Sequence, residues 1–276
     1  MAQANQHTAV TLASMKGGVG KTTLTTLLAR YLVEIHQLPV LVLDLDPQRG
    51  ATLLLLGPQQ AVKHQGFTTL DILLSEQAGI PASELVLQAL LSSSYHPDIW
   101  LIPACAGLGR LAGPHTRRDL LQCALQGSAR LPASLILVDS GPDISLCELS
   151  LQAADLVFIP MTLSHQSGIP TLNTLQAALS LDRPIGGLIP TMVGRAGWNQ
   201  DRIHQWRHNL EHSTLMQNHN ISVLPDMPYS PSAVRGTWRW GTLPHTFLPM
   251  LQSLSECILE RCDFPEAQPI PTQEVS

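Results

Sequence analysis

The sequence contains no apolar run near the roughly 18–20 residues that a membrane span requires, so no transmembrane segment is expected. Its opening residues, MAQANQHTAV, lack the basic and apolar regions of a secretory signal, and a cytoplasmic protein is expected. The five cysteines, Cys105, Cys123, Cys147, Cys257 and Cys262, form no C-x-x-C pair. That spacing suggests neither a zinc site nor a disulfide framework. Positive charge is scarce as well. The formal net charge is −5, so bulk electrostatics does not demand a nucleic-acid partner. Lysine is the rarest cation: Lys16, Lys21 and Lys63 stand against thirteen arginines. Two of the three lysines therefore fall within one short stretch, SMKGGVGKTTL at 14–24.

What is present is a length of 276 residues with 44% apolar content, enough for one large α/β domain. Short apolar runs at 8–14, 39–45, 98–104, 134–140, 155–161, 184–191 and 221–225 read as strands. They are continuously apolar, as a parallel sheet covered on both faces requires. Helical patterns lie between them, at 22–36, 107–126, 164–180, 199–212 and 244–262. This alternation predicts a three-layer α/β fold, a doubly wound and mostly parallel sheet; the glycine-rich stretch after its first strand makes the P-loop NTPase form of that fold the expectation. Residues 57–97 are less regular, with two short helices expected in TLDILLSE and SELVLQALL. Residues 1–262 are expected to form a single domain, and the proline-rich tail 263–276 to be disordered.

The stretch GGVGKTT follows the first strand and opens the first helix. The first glycine of G-x-x-x-x-G-K-[ST] is missing, Met15 standing in its place, but Gly20-Lys21-Thr22 is intact. Gly17, Gly18, Val19 and Gly20 can turn backbone N–H groups inward around phosphate oxygens. The helix that starts at Thr22 and Thr23 adds its positive dipole end. Lys21 is expected to reach the β- and γ-phosphates, and the Thr22 hydroxyl to hold Mg²⁺. Three carboxylates close later strands: Asp44 and Asp46 in LVLDLDPQ, and Asp139 in LILVDSGPD. Ligands of open α/β sheets sit outside the carboxyl ends of strands. Asp139 is thus the expected Mg²⁺ aspartate and Asp46 the residue that orients an attacking water. Asp44 either assists that step or supports the loop.

Together, KGGVGKTT, DLDPQ and LILVDSGPD resemble the ParA/MinD family of deviant Walker-A ATPases, and the likeness extends over about residues 8–262. VFIPMTLSHQS, GLIPTM and ISVLPDMPYSPSAVRGT are similar to later segments of that family. The resemblance implies an ATP- and Mg²⁺-dependent ATPase that forms a homodimer with two ATPs between its protomers. It implies that Lys16 reaches the partner's phosphates and that Pro225, Asp226 and Met227 border the adenine. Two departures stand out: Arg49-Gly50 where the family often has Gly-Asn, and Gly141-Pro142 where it has a proline pair.

Members of the family differ in what the dimer binds. The last helix carries Arg261 and two glutamates, which does not suit an anionic membrane. Its apolar stripe reads as core. Residues 195–240 hold Arg195, Arg202, Arg207, Arg235 and Arg239, which the resemblance to ParA assigns to non-specific DNA. No helix-turn-helix precedes the first strand, so operator recognition is not expected. The reading is a ParA-like ATPase, nucleoid-associated when ATP-bound. It would partition or position a plasmid, chromosome locus or protein assembly through a ParB-like adaptor. One alternative is a MinD-like regulatory ATPase acting on a protein or membrane partner without DNA. Another is an iron–sulfur reductase, with Cys105 and Cys147 ligating a shared cluster.

Overall fold

The computed structural model describes residues 7–111, 120–128, 131–194, 200–231, 243–262 and 264. From the N-terminus, β1 (Thr8–Leu12) leads to α1 (Lys21–His36) and β2 (Val40–Leu45). Five short helices follow: α2 (Gly50–Leu56), α3 (Pro58–Lys63), α4 (Thr69–Leu73), α5 (Ser75–Ala78) and α6 (Ala82–Ala89). Next come β3 (Leu91–Ser92), β4 (Ile99–Ile102), a 3₁₀ turn at Ala106–Arg110, α7 (Leu120–Gln126), β5 (Leu135–Ser140) and α8 (Ile144–Ala153). The remainder is β6 (Leu156–Thr162), α9 (His165–Ser180), β7 (Ile185–Val193), α10 (Gln200–Glu211), α11 (Thr214–Asn218), β8 (Met227–Pro228) and α12 (Leu248–Arg261).

The described strands make one sheet in the order β3-β4-β2-β5-β1-β6-β7-β8, parallel except for the edge strand β3. Every residue of β2 and β5 is buried. Alternate side chains serve opposite faces, as the two-residue period of a strand dictates. Val40 and Val42 join α1 and α12 on one face, while Leu41, Leu43 and Leu45 join α6, α7 and α8 on the other. The apolar stripe of α12, with Met250, Leu251, Leu254 and Ile258, is spent on that core. Among the described residues, no helix is long and apolar enough to cross a membrane.

The parallel sheet and its flanking helices match the expectation. Residues 57–97 do not: they hold four helices and the antiparallel strand β3, with α2 just before them. Expected strand 221–225 is reduced to one bridge, Leu188 with Val223, and the ladder to β7 is resumed by Met227–Pro228. Pro225 has no N–H to donate, so the ladder breaks there. The expected helix 107–126 begins as a 3₁₀ turn, and only Leu120–Gln126 of its later part is α-helical among the described residues. Phe264, placed by the sequence in the disordered tail, packs against the core and donates its N–H to Leu259 O at 3.2 Å. The rest of the tail lies outside the described residues.

Gly186 in β7 faces the ring of Phe158 in β6, which has no exposed surface. A Cβ at Gly186 would lie 2.2 Å from Phe158 Cε1. Gly186→Ala is expected to destabilise the protein by about 1–3 kcal/mol. Urea unfolding checks this, and an unchanged midpoint would show that the ring can move aside.

Candidate nucleotide site

The carboxyl ends of β2, β5 and β1 lie side by side. Asp44 is the register partner of Asp139 on β5, and Asp139 is the partner of Leu12, where β1 ends. The phosphate loop leaves β1 there. Gly18 and Gly20 take φ of 72° and 86°, a left-handed conformation that glycine adopts without steric penalty. Gly20 caps α1 without a side-chain hydrogen bond, and the first turn of α1 carries no acid. The N-terminal N–H groups and the dipole of α1 therefore keep their capacity for an anion. Gly17 and Gly18 are exposed, whereas Val19 is buried.

Lys21 is buried under this loop. Its Nζ donates to the carbonyls of Ser14 and Lys16, each at 3.0 Å. Burial lowers its pKa, and the charges of Asp139, Cys147 and Asp46 oppose that shift. Lys16 lies at the rim of a cleft of about 270 Å³, with Gly18, Thr162, Ser164, Gln166 and Met192 among its walls. The two lysines thus occupy different environments, one inside the loop and one at an open face.

The carboxylates also divide by environment. Asp139 is fully buried. Thr25 Oγ1 lies 3.5 Å from its Oδ1, and its Oδ2 has no hydrogen-bond partner among the described residues. Burial, and then the charge of Asp44, push Asp139 well above the usual carboxylate range; the Thr22 hydroxyl and Lys21 act against this. Asp44 is equally buried, and burial raises it to about 6. Both of its oxygens are engaged: Oδ1 accepts from Asp46 N at 3.1 Å, and Oδ2 from Thr52 N and Oγ1 at 2.8 and 2.7 Å. Of the two roles open to Asp44, this geometry fits support of the loop. Asp46 is 8% exposed, and its Oδ1 accepts from Gln48 N at 2.8 Å. Gly141 lies close against it, where an added Cβ would come 3.4 Å from Asp46 Cγ.

A buried carboxylate oxygen without a partner, beside a threonine hydroxyl and a second carboxylate, is a donor set for a hard divalent cation. Asp139 and Thr22 fit Mg²⁺ on that ground. A separate small groove lies at the start of α1, lined by Val19, Gly20, Thr23, Thr191, Met192 and Met227–Ser230. Of the residues expected near a base, Met227 lines it, while Pro225 does not and the Asp226 carboxylate turns instead to the Arg207 guanidinium. Pro228, Tyr229 and Ser230 continue the wall of this groove beyond Met227. Thr52, Thr191 and Met192 escaped the sequence reading because no spacing marks a hydroxyl or a methionine brought in by a distant strand or helix.

Of the expected nucleic-acid residues, Arg207 has its side chain among the described residues. Arg207 is turned inward: besides Asp226 it holds the carbonyls of Leu224 and Val223 at 3.2 and 3.3 Å, and Glu211 lies 3.7 Å away. It fastens the segment before β8 and is withdrawn from the DNA set. Arg195, Arg235 and Arg239 lie outside the described residues, as does the side chain of Arg202. The iron–sulfur reading also loses its geometry. Cys147 is fully buried in α8, and burial pushes its thiol up to about 12. Cys105 follows β4, two strands away from the phosphate loop's neighbour β5, and its Sγ lies 3.6 Å from Thr68 Oγ1.

A glycine loop between a strand and a helix, a lysine within it and carboxylates on adjacent strand ends define a P-loop nucleotide-binding domain. Residues 10–235 match the CobQ/CobB/MinD/ParA nucleotide binding domain, and the chain belongs to that family. The chromosome partitioning protein ParA of Caulobacter vibrioides is 29% identical over 70% of this chain and 72% of its own. An ATP complex of Cyanothece McdA shares the fold with a TM-score of 0.75 at 20% identity, covering 96% of this chain and 99% of that one. Cobyrinic acid a,c-diamide synthase from Mycobacterium smegmatis, with a bound ATP analogue and magnesium, gives 0.67 at 20% identity, over 96% and 100%.

Proton linkage offers a test of the cation site. The folded pKa of Asp44, about 6, lies above its ordinary 3.8, so the folded protein binds more protons in between. This contribution to stability is present at low pH and is lost as pH rises through about 6. Asp139 shifts in the same direction. A cation at Asp139 competes with protonation of that carboxylate. Addition of Mg²⁺ to ADP-loaded protein should therefore raise Tm more at pH 7.5 than at pH 5. Asp139→Asn should remove most of the difference. Equal shifts at both pH values would place the cation elsewhere.

Proposed function

We propose that this protein is a ParA-type ATPase that hydrolyses ATP with Mg²⁺ as one half of an ATP-bound homodimer. The observation that carries the reading is the convergence of Lys21, Asp46 and the unpartnered Asp139 oxygen at adjacent strand ends, with Lys16 at an open cleft beside them. The cation, when bound, neutralises phosphate charge. Lys21 holds the β- and γ-phosphates from inside the loop, and the N–H groups of residues 17–23 receive their oxygens. Thr22 and Asp139 hold the cation. Asp46 orients the attacking water. Lys16 supplies its charge to the partner's site, where negative charge develops in the transition state. Residues 1–262 act as one nucleotide-switched unit.

Surface chemistry supports the homodimer. Ile144 at the start of α8 is 60% exposed, and Ile169 and Leu172 on α9 are 71% and 47% exposed. Helix α9 contains no Asp, Glu, Lys or Arg; its exposed residues include His165 at its start and the uncharged Gln166, Ile169, Leu172, Asn173 and Gln176. Both helices adjoin the phosphate loop: Thr174 of α9 accepts from Met15 N at 3.0 Å, and Pro142 just before α8 lies beside Gly17, 3.9 Å from where a Cβ there would stand. A second copy seated here would bring its own Lys16 towards this site and cover the apolar side chains.

The dimer is further read as cytoplasmic, binding DNA without sequence preference through Arg195, Arg202, Arg235 and Arg239. It would move a cargo through a ParB-like adaptor that stimulates hydrolysis. Dimerisation doubles the arginines on one surface, so ATP-dependent assembly yields ATP-dependent DNA affinity.

Lys16→Ala and Asp46→Ala should each abolish phosphate release, with Asp46→Ala retaining ATP-dependent dimers in light scattering. Full turnover in both variants would sink the assigned roles. In a gel shift with random-sequence DNA at low salt, ATP-bound protein should retard the DNA. Arg235→Ala with Arg239→Ala should weaken the shift and lower its salt slope by about 2 per protomer, one for each lost phosphate contact. No retardation by protein shown to be dimeric would move the assignment to the regulatory ATPases that act on protein partners.

A further inference from the structure

Thr52 is fully buried in the first turn of α2, six residues after Asp46. Its N–H and hydroxyl both donate to Asp44 Oδ2, at 2.8 and 2.7 Å. The same hydroxyl oxygen accepts from Ala104 N at 3.0 Å, beyond the end of β4. Asp44 in turn accepts from Asp46 N at 3.1 Å through its other oxygen, and its backbone carbonyl accepts from Thr69 Oγ1 at 2.8 Å. One threonine and one aspartate, the latter through its carboxylate and its backbone carbonyl, thus tie four segments together: the end of β2, the start of α2, the β4 loop and the start of α4.

The tie reaches the site along two routes. Asp44 fixes the backbone of Asp46, which is further held by Arg49 N donating to Asp46 O at 2.8 Å. On the other route, Gly50, two residues before Thr52, packs directly on Thr22. A Cβ at Gly50 would stand 2.8 Å from Thr22 Cγ2 and 3.1 Å from its Oγ1. The position of α2 therefore bears on both Asp46 and Thr22. A misplacement of about 1 Å at such groups can cost on the order of a hundredfold in rate.

We propose that Thr52 is a positioning residue: by clasping Asp44 it seats α2, and α2 sets Asp46 and Thr22 for hydrolysis. The inference rests on the ATPase reading above. Thr52 touches no substrate in this scheme. Its hydroxyl acts through Asp44 and through the backbone at Gly50.

The test compares steady-state ATP hydrolysis by unaltered protein, Thr52→Val and Thr52→Ser, each with its unfolding midpoint. Valine keeps the volume and the backbone N–H bond but removes the hydroxyl. In Thr52→Val, kcat is expected to fall about tenfold or more while KM changes little. Thr52→Ser, which restores the hydroxyl, should recover most of kcat. A second variant leaves the clasp intact: Gly50→Ala should raise the Mg²⁺ concentration for half-maximal turnover about tenfold, with ATP binding in EDTA unchanged. Wild-type kcat in folded Thr52→Val, or a loss that serine does not recover, overturns the proposal. If Thr52→Val does not fold, an unchanged Mg²⁺ requirement in Gly50→Ala overturns it instead. If the unaltered protein releases no phosphate, the ATPase reading itself fails, and this inference with it.

Discussion

Two carboxylates sit opposite one another on neighbouring strands, both shut off from the surface, and the rest of the site is arranged around that cost. Asp44 and Asp139 are register partners, both fully buried. Like charges at such a distance in a low-dielectric interior repel strongly, and burying either one alone is already expensive. The protein answers the two problems differently. Asp44 is saturated with donors from Thr52 and Asp46, as a permanent structural part would be. Asp139 keeps one oxygen unsatisfied and has Lys21 among its nearby charges. A cation would complete Asp139 in a way that it could not complete Asp44. The division of labour between the two thus follows from their hydrogen bonds.

Much of this was legible in the sequence, and what was legible has a common cause. Gly20-Lys21-Thr22, Asp46 and Asp139 are local signals: each lies directly after an apolar run, where a parallel strand must end. The parallel sheet itself was legible because its strands are continuously apolar. What escaped notice depends on contacts between distant segments. Thr52 looks like an ordinary helical threonine until β4 and β2 bring Ala104 and Asp44 to it. The break at Pro225, which moves the pairing of β7 from Val223 to Met227, was likewise not legible as a change of register. Arg207 has the composition of a DNA contact, but its neighbour in space is Asp226. Sequence spacing reports which groups exist; only the fold reports which of them are already partnered.

The departures from the family pattern take on a physical meaning at two positions. Arg49 adopts φ of 60°, a left-handed conformation that glycine would occupy without strain, and its guanidinium bonds the carbonyl of Ala61 in α3. Gly50 occupies the place where a side chain would strike Thr22. Relative to the Gly-Asn order, glycine has moved one residue along the chain. The backbone strain at Arg49, of order 1–2 kcal/mol, is offset by anchoring on α3. At Gly50 the missing side chain lets α2 lie directly against Thr22, where an added Cβ would stand 2.8 Å from Thr22 Cγ2. Gly141 borders Asp46 from the other side, at ordinary contact distance.

The two lysines of the phosphate loop are also less separate than their roles suggest. The Lys21 amine donates to the carbonyl of Lys16 itself, and to that of Ser14 before it. An ammonium group has three donors, so contacts to incoming phosphate draw on the same group that holds the loop's own backbone. The placement of Lys16 is thereby coupled to that of Lys21. Replacing Lys21 removes more than one cation: it releases the backbone from which Lys16 extends. In the proposed dimer, where Lys16 reaches the partner's phosphates, the cis grip and the trans contact would share one hydrogen-bonded loop.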